Sequence, residues 1–600
     1  MKPEQPLTHF QIVYHQFKKN PIGIGAFWVL LIFSLIGLYA PFFASSKPLL
    51  VIYDKKIYFP LFRYLFYSGF YTKRVDLFYN LLMLTLPITV TGYFLLKKWA
   101  SFLLTPFIWS MLSIQIIVFV ILALGVVSHP EGNKGLTAAK QEHLMEKINL
   151  REDPLLMDIH ALPSWDFELR YSSDYAKLNL LLRYRMRKKQ HEKLSPYAKL
   201  YHLETGKMMP TLFYVDQINT NQEIHRLNSL IEKIQKEAEQ AKQTLPQKIS
   251  AYLPSSMAML MAKKELEQAK KHFDETVNLS GIPKEELRSI KTRLSIAKTT
   301  YSAIEKEGLP SRLALIKAKG IVQKWEYAKQ KRDYLLKRRA WLEEEQNKIS
   351  FIFLPLLRPF HWEDDAGGQQ SINKYIPWWT RTRVNRKDLV SALIFGIRIS
   401  LVVGVTAVLI SLMIGIPVGT IAGYFAGKTD LILFRIIEVW EAMPTFFMLL
   451  LIIAIAQNKS IFLVIGILGI FGWTGFGRFI RAEVLKQRQL PYVLACKSLG
   501  YSHGHIMFSH VLPNAIPPIL TLLPFSMMVA ITSEAGLSFL GLGEEGSPSW
   551  GVLMDEGRSV FPGEGYLLWP PAILLTILLI SIALVGDGIR DALDPKLRTF

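Results

Sequence analysis

Eight segments of this chain are too apolar to face water along their whole length: residues 22–43, 77–96, 102–127, 393–425, 432–456, 461–476, 516–539 and 567–585. Apolar runs of roughly 18 residues or more mark membrane-crossing helices, because a helix satisfies its own backbone where no water can. Half of the residues are apolar, which suits that reading. An all-α polytopic membrane protein is the expected fold class. The first run is about 22 residues long, beyond the roughly 7–15 of a signal-peptide core, and reads as a retained span.

Charge sets the expected orientation. Lys18 and Lys19 precede the first run, and Lys97 and Lys98 lie between the second and third. Basic residues concentrate in cytoplasmic loops, so both termini and residues 490–514 are expected inside. Around that last loop lie Arg478, Arg481, Lys486, Arg488 and Lys497, whereas Glu544, Glu545, Asp555, Glu556 and Glu564 follow the seventh run. The formal net charge of +21 belongs to loops of this kind rather than to nucleic-acid binding. Cys496 is the only cysteine, so no intramolecular disulfide can form.

The runs divide the chain into a cytoplasmic end with the first span (1–43), an aromatic-rich outside loop (44–76) and a membrane hairpin (77–127). An outside insertion (128–385) and a last block (386–600) follow. Within the insertion, Ile224, Leu227, Ile231, Ile234, Ala238, Ala241 and Leu245 recur by three and four, a heptad seam. Pro246 and Pro254 are expected to break it. A second seam at Met259, Ala262, Leu266, Ala269 and Phe273 should stop at Gly281-Ile282-Pro283. A third, from Leu287 to Ile304, should stop at Gly308-Leu309-Pro310, and a fourth helix is expected over 311–348 with Trp325 and Leu335 on its seam. Antiparallel coiled-coil hairpins over about 221–348 are the predicted outcome.

The chemistry is sparse. In GYFAGKT, Gly423 and Gly427 are separated by three residues, where a phosphate loop needs four, and the turn follows a membrane run instead of a strand. The chain is therefore not expected to hydrolyse ATP or to be an enzyme, and no cofactor is expected. His503, His505 and His510 read as polar residues of a docking loop, although their proximity also admits a metal. His361, Glu363, Asp364 and Asp365 form a second possible ligand cluster. Glu534, toward the outer end of a span, is a functional candidate or a pairing residue. Gly404, Gly415, Gly419 and Gly423 predict close helix packing.

The most telling segment is polar and lies between two apolar runs. It reads QLPYVLACKSLGYSHGHIMFSHVLPNAIPP, with Gly500 at its centre and Leu512-Pro513-Asn514 at its exit. Such a loop must face water or a partner. It resembles the coupling loop of bacterial binding-protein-dependent ABC importer permeases, whose pattern is Glu-Ala-Ala, three residues, Gly, and a later Leu-Pro. Ala495, Cys496, Gly500, Leu512 and Pro513 fall on that pattern, with Leu494 at the Glu position and Cys496 at the second Ala. His510 to Asn514 matches the His-Val-Leu-Pro-Asn ending of the oligopeptide, dipeptide and nickel branch. SEAGLSFLGLG at 533–543 with PSWG at 548–551, and GDGIRDALDPKLR at 586–598, are similar to the second, C-type subunit of that branch.

The resemblance implies a six-span permease core, formed by the first span and the last five, to which a hairpin and a helical insertion have been added. It also implies a bacterial inner-membrane location, a sister permease, two ATPase subunits that bind the ATP, and an extracytoplasmic peptide-binding protein. The implied coupling residues are Tyr492, Ala495, Cys496, Gly500, His510, Leu512, Pro513 and Asn514. Oligopeptides or dipeptides are the implied cargo, with nickel or another small substrate as one alternative and an envelope-tethering role as another. Before the second core span the family has Leu-Gly-Thr-Asp and Gly-Arg-Asp-Val-Leu, of which only Arg386, Lys387, Asp388, Leu389 and Val390 have counterparts here.

Overall fold

A computed structural model describes residues 9–99, 101–128, 130, 174–206, 216–277, 283–363, 377, 379, 387–456, 459–563 and 565–593. Two compact units emerge: Met1–Pro130 with Arg185–Phe213 and Ile349–Phe600, and Glu131–Tyr184 with Tyr214–Lys348. Among the described residues, seven helices are long and apolar enough to cross a membrane, or eight if one bent pair counts as a span.

In the first unit, α1 (Pro21–Leu38) starts where Asn20 Oδ1 accepts from Gly23 N at 2.9 Å, with Pro21 in the first turn. The segment expected as an aromatic-rich outside loop carries two short strands. β1 (Leu50–Tyr53) and β2 (Lys56–Tyr58) pair around Asp54 and Lys55, whose φ values of 47° and 60° are those of a tight two-residue hairpin turn. The β-branched and aromatic runs on either side of Asp54-Lys55 in VIYDKKIY are the signal for it. β3 (Ile349–Phe353), on the far side of the insertion in sequence, pairs antiparallel with β1 and completes the order β2-β1-β3.

The hairpin consists of α2 (Arg74–Trp99) and α3 (Leu104–Ala123). Asp76, expected to end the outside loop, is already within α2 and buried.

The second unit is dominated by two helices, α4 (Asp216–Val277) and α5 (Lys284–Asn347), packed along one another. Leu227, Ile231 and Ala238 of the predicted seam meet Trp325 and Ala328, with Leu335 half-buried beside them. The predicted breaks do not occur: Pro246 and Pro254 lie inside α4, and Pro310 inside α5. An interior proline costs about 3 kcal/mol. Here each falls in a helix of more than 60 residues whose neighbouring turns pack on a partner helix, and that burial outweighs a missing hydrogen bond. Gly281 and Ile282 lie outside the described residues, as do Arg386 and residues 594–598.

Back in the first unit, Asp388 caps α6 (Leu389–Phe425), its Oδ1 accepting from Ser391 N at 2.8 Å. A tight turn, with Ala426 and Gly427 at φ 53° and 56°, leads into α7 (Gly427–Ala442) and α8 (Thr445–Ala456). These two are bent by 74°, so the fifth predicted span is not one straight helix but a broken span or a re-entrant loop. α9 (Ile461–Gln487) packs on α6 along the predicted glycines. A Cβ on Gly415 would stand 2.6 Å from Trp473 O, and one on Gly423 2.7 Å from Arg481 O, so larger residues would push the backbones apart. α10 (Pro491–Ser498), α11 (Leu523–Leu537), α12 (Trp550–Ser559) and α13 (Trp569–Leu593) complete the unit.

Candidate functional site

The polar loop folds as a helix, a turn and a second helix. Pro491 sits in the first turn of α10, where its fixed φ suits a helix and its missing N–H costs nothing. The helix ends at Gly500, at φ 78°, with Gly500 N donating to Lys497 O at 3.0 Å and Tyr501 N to Cys496 O at 3.2 Å. That pair of bonds needs a left-handed residue, which glycine supplies at least cost. The Ser502 hydroxyl then accepts from His505 N at 3.4 Å. The chain stays helical from His503 to Ala515, with a wider turn over Ile506–Val511. Pro513 does not end this helix but lies within its last turn, and a tighter turn begins at Pro517.

One face of this element is buried. Val493, Ile506, Met507, Val511, Ala515 and Ile519 pack with Phe476, Ile480 and Val484 of α9. Polar contacts fix its outer edge. The Tyr424 hydroxyl and His503 Nδ1 are 3.0 Å apart, and Arg488 Nη1 donates to Tyr424 O at 3.1 Å. Tyr492 Oη donates to Gln487 Oε1 at 3.0 Å, and Asn514 Nδ2 to His510 O at 2.7 Å. Arg481 also grips Asp430 of α7 through both carboxylate oxygens.

The opposite face is open to solvent and unexpectedly apolar. Leu494, Leu499, Tyr501 and Phe508 are all about half exposed or more, with Leu499 at 75%. Ala495, Gly500, Pro513 and Asn514 are exposed beside them. Tyr492, Cys496, His510 and Leu512 are half-buried and join this face to the packed one. The eight expected coupling residues therefore share one small helical element. Sequence reading missed Tyr424 as an anchor of this element and named Arg488 only as a loop charge. Tyr424 lies in the GYFAGKT turn, which was considered there only as a phosphate loop.

The three histidines of the loop make ring contacts: Tyr501 stacks on His505 at 5.3 Å, and His505 meets His510 edge-on at 5.3 Å. His361 is buried between Phe70, Tyr71, Trp362 and Phe395. Burial and the nearby Arg398 and Lys387 charges push its pKa well below the usual range, so it stays neutral. Glu363, whose pKa burial raises, accepts from the Thr72 hydroxyl; Asp364 and Asp365 lie outside the described residues. Among the described residues no three His, Cys, Asp or Glu side chains are grouped to hold a metal.

Two of the other sequence blocks form one packed corner. Glu534 Oε1 accepts from the hydroxyls of Ser538 and Ser549, each at 2.7 Å, and so joins the SEAGLSFLGLG and PSWG blocks. Trp550 Nε1 donates to Leu393 O at 3.0 Å, and Gly396 leaves room for that indole. Glu534 is thus a buried pairing residue. Between α6, α8, α9 and α11 lies a cavity of about 700 Å³. Its wall is rich in phenylalanine, including Phe446, Phe471 and Phe525, with Ser411, Ser533 and Arg478 as polar points.

Two family models match: the binding-protein-dependent transport system inner membrane component over residues 415–599, and the N-terminal transmembrane domain of oligopeptide transport permease C over 8–60. The chain is 40% identical over 223 residues to the peptidoglycan transport system permease protein YejE of Agrobacterium fabrum, covering 37% of this chain and 58% of that one. It is 32% identical over 274 residues to the dipeptide transport system permease protein DppC of Bacillus subtilis, covering 43% of this chain and 85% of that one. Against the oligopeptide transport system permease protein OppC of Haemophilus influenzae it is 34% identical over 253 residues, covering 41% and 81%. The chain belongs to the binding-protein-dependent ABC transporter permeases, as a C-type subunit of their oligopeptide and dipeptide branch.

Proposed function

We propose that this chain forms one half of the translocation path of an ATP-driven peptide importer, and that the element 490–514 is where a separate ATPase subunit engages it. The observation that carries the reading is an exposed apolar face, Leu494, Leu499, Tyr501 and Phe508, on a loop anchored by Tyr424 and Arg488. An unpartnered apolar patch on a polar loop marks a protein-interaction site. Because its opposite face is packed on α9, a force applied to the loop moves a membrane helix. Closure of two ATPases around bound ATP would then switch the spans between outward- and inward-facing arrangements, a domain-scale rearrangement.

A sister permease would supply the other half of the path, and a soluble peptide-binding protein would deliver the cargo. The phenylalanine-lined cavity suits peptide side chains better than a bare nickel ion, which needs nitrogen or sulfur ligands. In this assembly the chain lies in a bacterial inner membrane with both termini inside. Uptake of a labelled peptide by cells with and without this chain tests the reading, together with disulfide or bifunctional crosslinking of Leu499→Cys to the co-expressed ATPase. Loss of uptake without the chain and a crosslink at position 499 are expected; undiminished uptake without it would overturn the import role.

A further inference from the structure

Where the added hairpin meets the core there is a second cavity, of about 540 Å³, and its lining is mainly polar. Three separate segments build it: Thr72, Lys73 and Arg74 at the start of α2, Lys459 and Ser460 before α9, and Glu544 and Glu545 after α11. Its charges do not balance. Lys73 Nζ lies 3.2 Å from Glu544 Oε1 and donates to Glu545 O at 2.9 Å, and Lys459 Nζ lies 3.2 Å from Glu545 Oε1. Each glutamate is therefore neutralised by one lysine. Arg74 is the third cation; it has no carboxylate partner among the described residues.

We infer that this cavity is a subsite for the free α-carboxylate of a peptide, with Arg74 as the group that receives it. A guanidinium presents a planar fork of donors that matches a carboxylate, and it stays charged at all physiological pH. The lysine pairs keep Glu544 and Glu545 from repelling the incoming anion. The rotation of α2 that brings Arg74 to the cavity wall is fixed two residues later, where buried Asp76 is held by Arg398. The core supplies two of the walls and the hairpin the third, so the hairpin completes a site that the six-span core lacks. All three segments lie on the side that the charge pattern assigns to the outside, where cargo would arrive.

This inference deepens the import reading and rests on it. The test compares a labelled tripeptide with its C-terminal amide, in cells carrying the complete transporter and by equilibrium dialysis against the purified complex in lipid nanodiscs. Arg74→Gln should raise the half-saturating concentration of the free acid about tenfold and leave the amide unchanged, while Arg74→Lys, which keeps the charge but not the fork, should recover only part of the loss. Parallel effects on acid and amide, or no effect on either, would overturn carboxylate recognition. The parallel case would point instead to docking of the delivery protein. Arg74 is exposed at a helix start, so folding is not at stake. If the wild-type complex binds the acid but cells take up neither peptide, the import reading fails and the site stands. Absence of saturable binding to the wild-type complex overturns the site itself.

Discussion

Arg398 Nη1 donates to Asp76 Oδ1 at 2.9 Å, and both side chains are buried although 322 residues separate them in sequence. The same guanidinium donates to Gly37 O at 2.7 Å and to Leu38 O at 3.1 Å, at the end of α1. One side chain of α6 thereby fastens both the first span and the added hairpin to the core. It also offers donors to carbonyls at the end of α1.

Removing one member of a buried ion pair leaves an uncompensated charge, which costs about 3–5 kcal/mol. Asp76→Leu should therefore lower the melting temperature of the purified protein in detergent by several degrees. Adding Arg398→Met should recover part of that loss but not all, since the carbonyls of Gly37 and Leu38 still lose their donor. A wild-type melt for Asp76→Leu alone would show that the pair does not fasten the hairpin.

The limits of the sequence show at this same pair. Apolar runs locate spans because lipid imposes one requirement on every residue in them, and the 490–514 element was visible because a polar stretch with Gly500 at its centre stands between two apolar runs. Nothing local marks Asp76 as the partner of Arg398, since their contact exists only after three helices have packed. The prolines of α4 and α5 failed for the same kind of reason. Pro246, Pro254 and Pro310 are breakers by local rule, and a packed neighbouring helix overrules them.

Gly500 has a left-handed φ of 78°, and a Cβ there would meet nothing within 4 Å. Gly500→Asp is therefore strained by backbone conformation, on the order of 1–2 kcal/mol, and meets no clash. The variant should reach the membrane in normal amount, lose the turn between the two helices of the 490–514 element, and abolish uptake. Normal uptake by Gly500→Asp would sink the coupling role of this turn.

In the second unit, Glu223 accepts from Arg226 and from Lys331, the latter at 2.6 Å across α4 and α5. Slight burial works to raise its pKa, but hydrogen bonds and charges from Arg226 and Lys331 outweigh that and hold it below the usual carboxylate range. A depressed folded pKa gives stability that is fully present above the unfolded value of about 4.3 and lost as pH falls through the folded one. Glu223→Gln should thus destabilise the helix pair at pH 7 by at most about 1 kcal/mol, because the group is partly exposed. Helix melting followed by circular dichroism at several pH values checks this. The gap between wild type and variant should close as the pH is lowered from about 4.3; a gap independent of pH would assign the effect to packing.

Leu494 stands where the family pattern has Glu, and the structure gives that exchange a physical meaning. Its side chain is 53% exposed on the same face as Leu499, Tyr501 and Phe508, so it adds apolar area to the proposed docking surface and none to the core. Restoring the acid by Leu494→Glu should change stability by no more than about 0.5 kcal/mol, the usual range for a surface substitution. Its effect should fall on the ATPase. An interface that meets leucine on one side buries apolar surface on the other, and a carboxylate placed there is desolvated without a partner. Leu494→Glu is expected to weaken co-purification of the ATPase subunits about tenfold, with Leu494→Met close to wild type. Unchanged or tighter association of the Glu variant would mean that the ATPase keeps a cationic site facing position 494, and that the apolar patch is centred on Leu499 and Phe508 instead.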